Sequence, residues 1–243
     1  MNLPPLAILA GGLATRLQAE TERTPKSLLQ VAGKPFIDHQ LEQLAGQGVE
    51  RVLVCTGHLG EAIERHVGDG RAFGLSVEYS RDGERLLGTA GALHKALPRL
   101  DDIFFVLYGD SYLDVNLAEV YGFFRSTGKL GLMTVHENQN RWDRSNVVYR
   151  VGHIIRYDKQ NPDPEMTYID YGLSLFRREA FADTPESGVE DLSEVFRRLV
   201  ARGELLGYPA ARRFYEIGSP QGLAETRAYL EGLREGGDTH GNG

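Results

Sequence analysis

The chain has 243 residues, 41% of them hydrophobic and 25% charged, with a formal net charge of −7. That length can bury a sizeable core, and the acidic balance without a dense basic stripe speaks against a nucleic-acid or anionic-membrane surface while leaving room for a local anion pocket. The single cysteine, Cys55, excludes an intrachain disulfide and a cysteine-cluster metal site.

In chain order, Leu6–Ala10 (LAILA) reads as a buried strand, preceded by no basic leader. Val49–Thr56, Leu75–Ser80 and Ile103–Tyr108 are further short apolar or β-branched strands. Cys55 lies inside the second of these and reads as a buried structural thiol. Helical stretches alternate with them: Pro35–Gln47, closed by Gly48, then Leu59–Val67 and Thr89–Leu97. Strands separated by helices and short turns imply parallel pairing with helices covering the sheet. From Gly131 the texture changes to strands with little helix between them: Gly131–His136, Asn146–Tyr157 and Tyr168–Phe176. Leu192, Val195, Phe196, Leu199 and Val200 then mark an amphipathic helix, with Ser187 to Glu190 as a candidate capping box. A last helix begins at SPQG, with Ser219 as N-cap and Pro220 at the first helical position. The expectation is one α/β domain over 1–235, a three-layer Rossmann-like sandwich with a mixed, mostly parallel sheet, followed by a disordered tail over 236–243. No run approaches the ~18 apolar residues of a membrane span, so a cytoplasmic protein is expected.

In open α/β sheets ligands sit outside the carboxyl ends of the strands. Gly11 and Gly12 fall there, at the end of the first strand, where an absent Cβ lets backbone N–H groups approach an anion. Arg16 adds a guanidinium fork suited to phosphate oxygens. The loop is neither a Walker A sequence nor GxGxxG, and by itself a GG turn is more often just a tight turn. The seven histidines are scattered without metal-ligand spacing, and no Ser-His-Asp or paired-carboxylate hydrolase arrangement is visible.

Further motifs follow in a fixed order: TPKSLL with Lys26, LGTAGAL (Leu87–Leu93), LYGDS (Leu107–Ser111), YDK (Tyr157–Lys159), YIDYG (Tyr168–Gly172) and FYEIGSP (Phe214–Pro220). With AGGLATRL at Ala10–Leu17, this order resembles the sugar-1-phosphate nucleotidylyltransferases, nearest the short bacterial enzymes that activate heptose, mannose or N-acetylmuramate 1-phosphates. The resemblance implies transfer of a nucleotidyl group from a nucleoside triphosphate to a sugar 1-phosphate, with release of pyrophosphate, in an Mg²⁺-dependent reaction. It implies a triphosphate grip by Leu9, Ala10, Gly11, Gly12 and Arg16, and Lys26 neutralising charge at the α-phosphate. Gly88, Thr89 and Gly91 would form the base pocket. Asp110 would hold the metal, with Glu216 standing where an aspartate is usual as second ligand. Gly109, Asp158, Lys159 and Asp170 would serve the sugar phosphate; relatives often carry Glu-Lys at 158–159 and asparagine at 170. The base stays open, with guanine slightly preferred by analogy.

Two other classes compete with this reading: a nucleotide or sugar-phosphate sensor that binds without turnover, and a glycosyltransferase on a related scaffold. Arg16, Lys26, Asp110 and Lys159 together exceed what a sensor requires, and DSYLD (Asp110–Asp114) is a poor version of a DxD metal motif. The expectation is that this chain lacks a β-helix extension and that a homodimer would use the catalytic domain itself.

Overall fold

The first strand decides how the layers form. The computed structural model describes residues 2–12, 24–161, 163–185 and 188–238. In it β1 (Leu6–Leu9) sends Leu6 and Ile8 into one apolar cluster and Ala7 into another on the opposite face. All three are fully buried, as a strand covered on both sides requires. β4 (Arg51–Thr56) and β6 (Ile103–Tyr108) flank β1 in parallel, and β5 (Ser76–Arg81) extends the sheet beyond β4.

Helices cover both faces. On one side α1 (Phe36–Gly46), α2 (Gly60–Val67) and α4 (Leu117–Arg125) bring Ile37, Leu41, Ile63, Val120 and Phe124 onto Leu6 and Ile8. On the other, α3 (Gly88–Ala96) and α5 (Leu192–Ala201) bring Leu93, Ala96, Val195 and Phe196 onto Ala7, Leu53 and Phe104. This is the three-layer α/β arrangement expected from the alternation of strands and helices.

The second half of the chain continues the same sheet. β8 (Gly131–Glu137), β9 (Val147–Arg150), β10 (His153–Tyr157), β11 (Tyr168–Arg177) and β12 (Leu205–Pro209) complete the order β5-β4-β1-β6-β11-β8-β12-β10-β9. Following the pairings outward from β1, only β11 and β10 run against it, so seven of the nine strands share one direction. The sheet is mixed with a parallel core, and the carboxyl ends of most strands gather along one edge. β1 is the switch point, with β4 leaving to one side and β6 to the other, and a crevice opens there.

Three local departures from the sequence expectation have simple causes. The single strand expected over Asn146–Tyr157 is a hairpin, because Val151 (φ 42°) and Gly152 (φ 83°) both take left-handed backbone and reverse the chain between β9 and β10. The start of α5 is capped by Asp191, whose carboxylate accepts from the Ser193 N–H, and not by a Ser187–Glu190 box; Ser187 lies outside the described residues. α4 and β12 are elements the sequence reading did not assign; Asn116 caps α4 through the Ala118 and Glu119 N–H groups. The last helix, α6 (Pro220–Asp238), starts as expected with Ser219 Oγ accepting from the Gly222 N–H at 3.0 Å, and it carries Gly236 to Asp238 as helix. It packs on a small hairpin, β2 (Gln30–Val31) and β3 (Lys34–Pro35), through Val31, Leu223 and Leu230. A two-stranded ribbon, β7 (Ser111–Tyr112) with β13 (Tyr215–Glu216), ties the end of β6 to the start of α6. No helix among the described residues is long and apolar enough to cross a membrane.

Candidate active site

Two cavities open at the carboxyl edge of the sheet. The first, of about 340 Å³, is floored by the ends of β1, β4 and β6: Leu9 to Gly12, Cys55, and Tyr108 to Asp110. Lys26 and Ser27 close one side, and Asp82, Leu86, Gly88, Thr89 and Ala92 the other. The second, of about 330 Å³, lies over the ends of β9 and β11 and is lined by Arg144 to Asn146, Ile169 to Gly172, Phe214 and Glu216 among others. Tyr108, Asp110 and Lys159 belong to both. These three side chains form the seam between the cavities.

At the seam, Lys26 Nζ lies 2.9 Å from Asp110 Oδ2, an ion pair across 84 residues of sequence. Pro25, in extended backbone, feeds Lys26 into the short turn Lys26–Leu28. The turn that carries Asp110 is clamped from α1: the buried Gln40 donates to the carbonyls of Tyr108 (3.1 Å) and Ser111 (2.8 Å). The Ile217 N–H donates to the Asp110 carbonyl at 2.9 Å, which fixes the other side of that turn. Beside Lys26 the Ser27 hydroxyl is buried with no hydrogen-bond partner among the described residues. A β carbon on Gly12 would meet nothing within 4 Å, so packing does not require glycine there, and the bare backbone leaves the cavity open to a ligand. Arg16 lies outside the described residues.

The small residues of LGTAGAL answer first to their neighbours. Gly88 has φ +72°, and a β carbon would stand 2.5 Å from the Glu190 carbonyl; at Gly91 it would stand 2.8 Å from that of Gly188. The Ala90 N–H donates to the Glu190 carbonyl at 2.9 Å. The Thr89 hydroxyl donates to Asp191 and accepts from the Leu192 N–H. The start of α3 is thus sewn to the segment leading into α5. Gly88 and Thr89 still face the first cavity, whereas Gly91 lines neither. Asp82, which sequence reasoning did not single out, stands on the wall of the first cavity, its Oδ2 accepting from the Leu87 N–H at 3.1 Å. Burial raises its pKa, opposed by that N–H. The Cys55 thiol is pushed up to about 12 by burial, so it remains protonated and unreactive.

On the acceptor side Asp170 is the buried anchor, its side chain 2% exposed. Its Oδ2 accepts from the Tyr108 hydroxyl at 2.9 Å and its Oδ1 from the Gly172 N–H at 3.1 Å. A register shift in β11 between Asp170 and Ser174, with Gly172 at φ +100°, marks a bulge beside the site. Burial first, and then the Asp170 carboxylate, push the Tyr108 pKa well above its usual value, so the phenol stays a neutral donor. Lys159 Nζ lies 3.8 Å from Asp170 Oδ2 and sits over the Tyr108 ring, 5.1 Å from its centroid. Asp158, expected beside it, turns away: its Oδ1 accepts from the Gln160 and Asn161 N–H groups, which lower its pKa, and it lines neither cavity. Gly109, expected on the sugar side, faces the first cavity.

Glu216 reaches the second cavity on the strand paired with Ser111, beside Asp110. Its carboxylate is bound into its own turn, accepting from the Gly218 N–H and from Ser219 Oγ. No group of three His, Cys, Asp or Glu side chains suited to a metal occurs among the described residues. What is present fits an ion carried largely by a ligand's phosphates: Asp110 Oδ1 has only a 3.5 Å contact with Ser111, and Mg²⁺ typically takes one or two carboxylates and completes its shell with phosphate oxygens and water.

An α/β sheet with a divided crevice at its switch point, carrying an opposed Lys-Asp pair on the seam, defines a class of phosphate-handling enzymes. The chain belongs to the nucleotidyl transferase family, whose model matches residues 6–231. It is 30% identical over 228 residues to the mannose-1-phosphate guanylyltransferase of Mycobacterium tuberculosis, a match covering 92% of this chain and 63% of that protein. It is 27% identical to the N-acetylmuramate alpha-1-phosphate uridylyltransferase of Neisseria meningitidis, covering 91% of this chain and 96% of that one. A Bacillus anthracis structure described as a glucose-1-phosphate thymidylyltransferase superposes with a TM-score of 0.83 at 22% identity, covering 93% and 95% of the two chains, which shows a shared fold. The chain spans less than two thirds of the mycobacterial relative's length.

Proposed function

We propose that this chain is an Mg²⁺-dependent sugar-1-phosphate nucleotidylyltransferase that prefers GTP as donor. The observation that carries the reading is the seam: two cavities of ligand size that share Tyr108, Asp110 and Lys159, with Lys26 paired to Asp110 there. A triphosphate in the first cavity sets its α-phosphorus at the seam, and a sugar 1-phosphate enters from the second. An oxygen of the sugar phosphate attacks the α-phosphorus in line. The new P–O bond forms as the α–β anhydride breaks, and pyrophosphate leaves with the electron pair. No proton need move to the attacking phosphate oxygen, so the protein's task is positioning and charge neutralisation. Lys26 moves from Asp110 to the α-phosphate and the departing oxygens, and Lys159 receives the incoming phosphate. Asp110 would hold Mg²⁺ together with phosphate oxygens, with Glu216 its neighbour, and the ion would neutralise charge building on the pyrophosphate.

Asp82 supports guanine. A carboxylate on the wall of the base slot matches two adjacent donors, the N1–H and N2 amine of guanine, and opposes the carbonyls that flank N3–H in uracil or thymine. Asp82→Asn is therefore expected to lower the GTP-over-UTP ratio of kcat/KM by about 10- to 100-fold, the worth of a hydrogen bond to a charged group; an unchanged ratio would remove Asp82 as the base reader.

The test of the whole reading is pyrophosphate release with Mg²⁺ across four nucleoside triphosphates and a panel of sugar 1-phosphates. Release that requires one of each is expected. Tight triphosphate binding with no release from any combination would place the protein among sensors instead.

A further inference from the structure

Two walls of the second cavity come from stretches far apart in sequence. One is Asp143 to Asn146, on the loop between β8 and β9; the other is Phe214 with Glu216, at β13. The separation of these stretches sets the width of the cavity on that side.

Backbone preference does not give the loop its shape. Gln139 (φ 49°) and Asn140 (φ 57°) both take left-handed backbone, which costs an L-residue energy. Side chains hold it instead. Asn138, fully buried, donates to the Asp143 carbonyl and to Ser145 Oγ and accepts from the Trp142 N–H. Ser145 donates its N–H to Asn140 Oδ1 and accepts from the Asn140 N–H. These bonds lie within the loop and do not reach the opposite wall.

Arg213 makes the crossing from outside the cavity. Its guanidinium lies over the Trp142 ring, 3.5 Å from the centroid, and over the Tyr215 ring, 4.5 Å from its centroid. Arg213 Nε donates to the Phe214 carbonyl at 3.2 Å, and Glu225 of α6 pairs with the same guanidinium. Tyr215 stacks in turn on Tyr229 of α6, with ring centroids 3.8 Å apart and planes 12° apart. A column of Trp142, Arg213, Tyr215 and Tyr229 thus runs from the loop to the last helix. Neither Trp142 nor Arg213 lines either cavity. At 43% exposure Trp142 adds little to a core; what it does is receive the guanidinium, a contact that draws its strength from the face of the ring.

We propose that Arg213 is a positioning residue for the acceptor. Stacked between Trp142 and Tyr215, it ties the loop to β13 and so holds the two walls at the separation a sugar 1-phosphate fits. The proposal rests on the reading that the acceptor enters the second cavity, and it adds a residue that serves the acceptor without touching it.

The experiment first takes the native protein's best pair among four nucleoside triphosphates and glucose, mannose and N-acetylglucosamine 1-phosphates, with Mg²⁺. That pair is then used with Arg213→Ala, Arg213→Lys, Trp142→Ala and the double alanine variant. In Arg213→Ala and in Trp142→Ala, kcat/KM for the sugar phosphate should fall about 3- to 30-fold, the range of one cation–π contact. Equilibrium affinity for the triphosphate alone should change less than about twofold, since the column does not border the first cavity. Arg213→Lys, which keeps a cation over the ring, should recover part of the loss. The double variant should lose no more than either single one, because the two side chains make one contact. Trp142 is the chain's one tryptophan, so tryptophan emission reports this ring alone, and in Arg213→Ala it should move to longer wavelength as the ring loses its cover. Equal losses of triphosphate affinity and acceptor kcat/KM would overturn the proposal, making the column a general support of the fold. Acceptor kcat/KM within twofold of native in both single variants, additive losses in the double variant, or emission unmoved in Arg213→Ala would overturn it as well, and each leaves the transferase reading standing. No pyrophosphate release by the native protein from any pair would sink both.

Discussion

At the scale of single residues, Lys26 carries the sharpest expectation. In the free protein its amine is paired with Asp110 at 2.9 Å, and in the proposed reaction that charge would pass to the reacting phosphates. Lys26→Ala should lower kcat about 100-fold or more while changing triphosphate affinity by less than about 10-fold, as for a group that acts mainly on the transition state. Pre-steady-state turnover beside equilibrium binding measures the two, and equal losses would assign Lys26 to binding alone. Lys26, Asp110 and Lys159 were legible in the sequence because each stands in a short motif at the end of a strand or turn. Asp158 was not legible, since nothing in YDK says whether a carboxylate will face a ligand or bond the next two N–H groups of its own turn. Gln40 was equally hidden. A polar residue in the middle of PFIDHQLEQL is a signal, but the carbonyls that claim it lie 68 and 71 residues away.

At the scale of elements, the turn of the β9–β10 hairpin offers a direct test of local strain. Val151 is β-branched, 94% exposed and held at φ 42°, a conformation that costs an L-residue roughly 1–2 kcal/mol. Val151→Asn, which makes an Asn-Gly turn, should stabilise the protein by about 1 kcal/mol and raise Tm by about 2–4 °C. A thermal scan that shows no gain would mean the strain is absent. The segment sewn over α3 gives a pH test. The hydrogen bond from Arg198 is the largest cause holding the Glu190 pKa below its ordinary 4.5. A depressed carboxylate stabilises the fold above its unfolded pKa, and that contribution fades as pH falls through the folded value. Glu190→Gln should therefore cost most stability above about pH 5 and progressively less below 4.5; denaturant midpoints across that range check it. Periodicity located the strands and helices that face the core. It missed the break at Val151-Gly152, because a valine gives no turn signal. It also could not tell that Gly88 and Gly91 answer to a segment about a hundred residues further on.

At the scale of the whole molecule, seven strands pointing one way deliver the ends of β1, β4 and β6 to a single edge. That much follows from the alternation of strands and helices in the first half. The placement of β11 between β6 and β8 does not, since long-range antiparallel pairing leaves no local mark. A ligand bound at that edge bridges segments from Leu9 to Lys159, so it should stabilise the fold as a unit. At a hundred times its Kd, the preferred triphosphate should add about 2.7 kcal/mol, which is about 5–11 °C in Tm for a chain of this size. The four triphosphates can be ranked by that shift before any activity is assayed.

The seam has a further consequence, for the end of the catalytic cycle. Because Tyr108, Asp110 and Lys159 belong to both cavities, the nucleotide sugar of the proposed reaction would occupy in one molecule what the nucleoside monophosphate part of the donor and the sugar phosphate fill separately. It surrenders its freedom of motion once where they do so twice, and it meets both walls together. Departure of the nucleotide sugar, and not formation of its phosphate bond, should then set the pace of turnover. The finished product should compete with the triphosphate and with the sugar phosphate alike, giving the enzyme a brake that needs no second site.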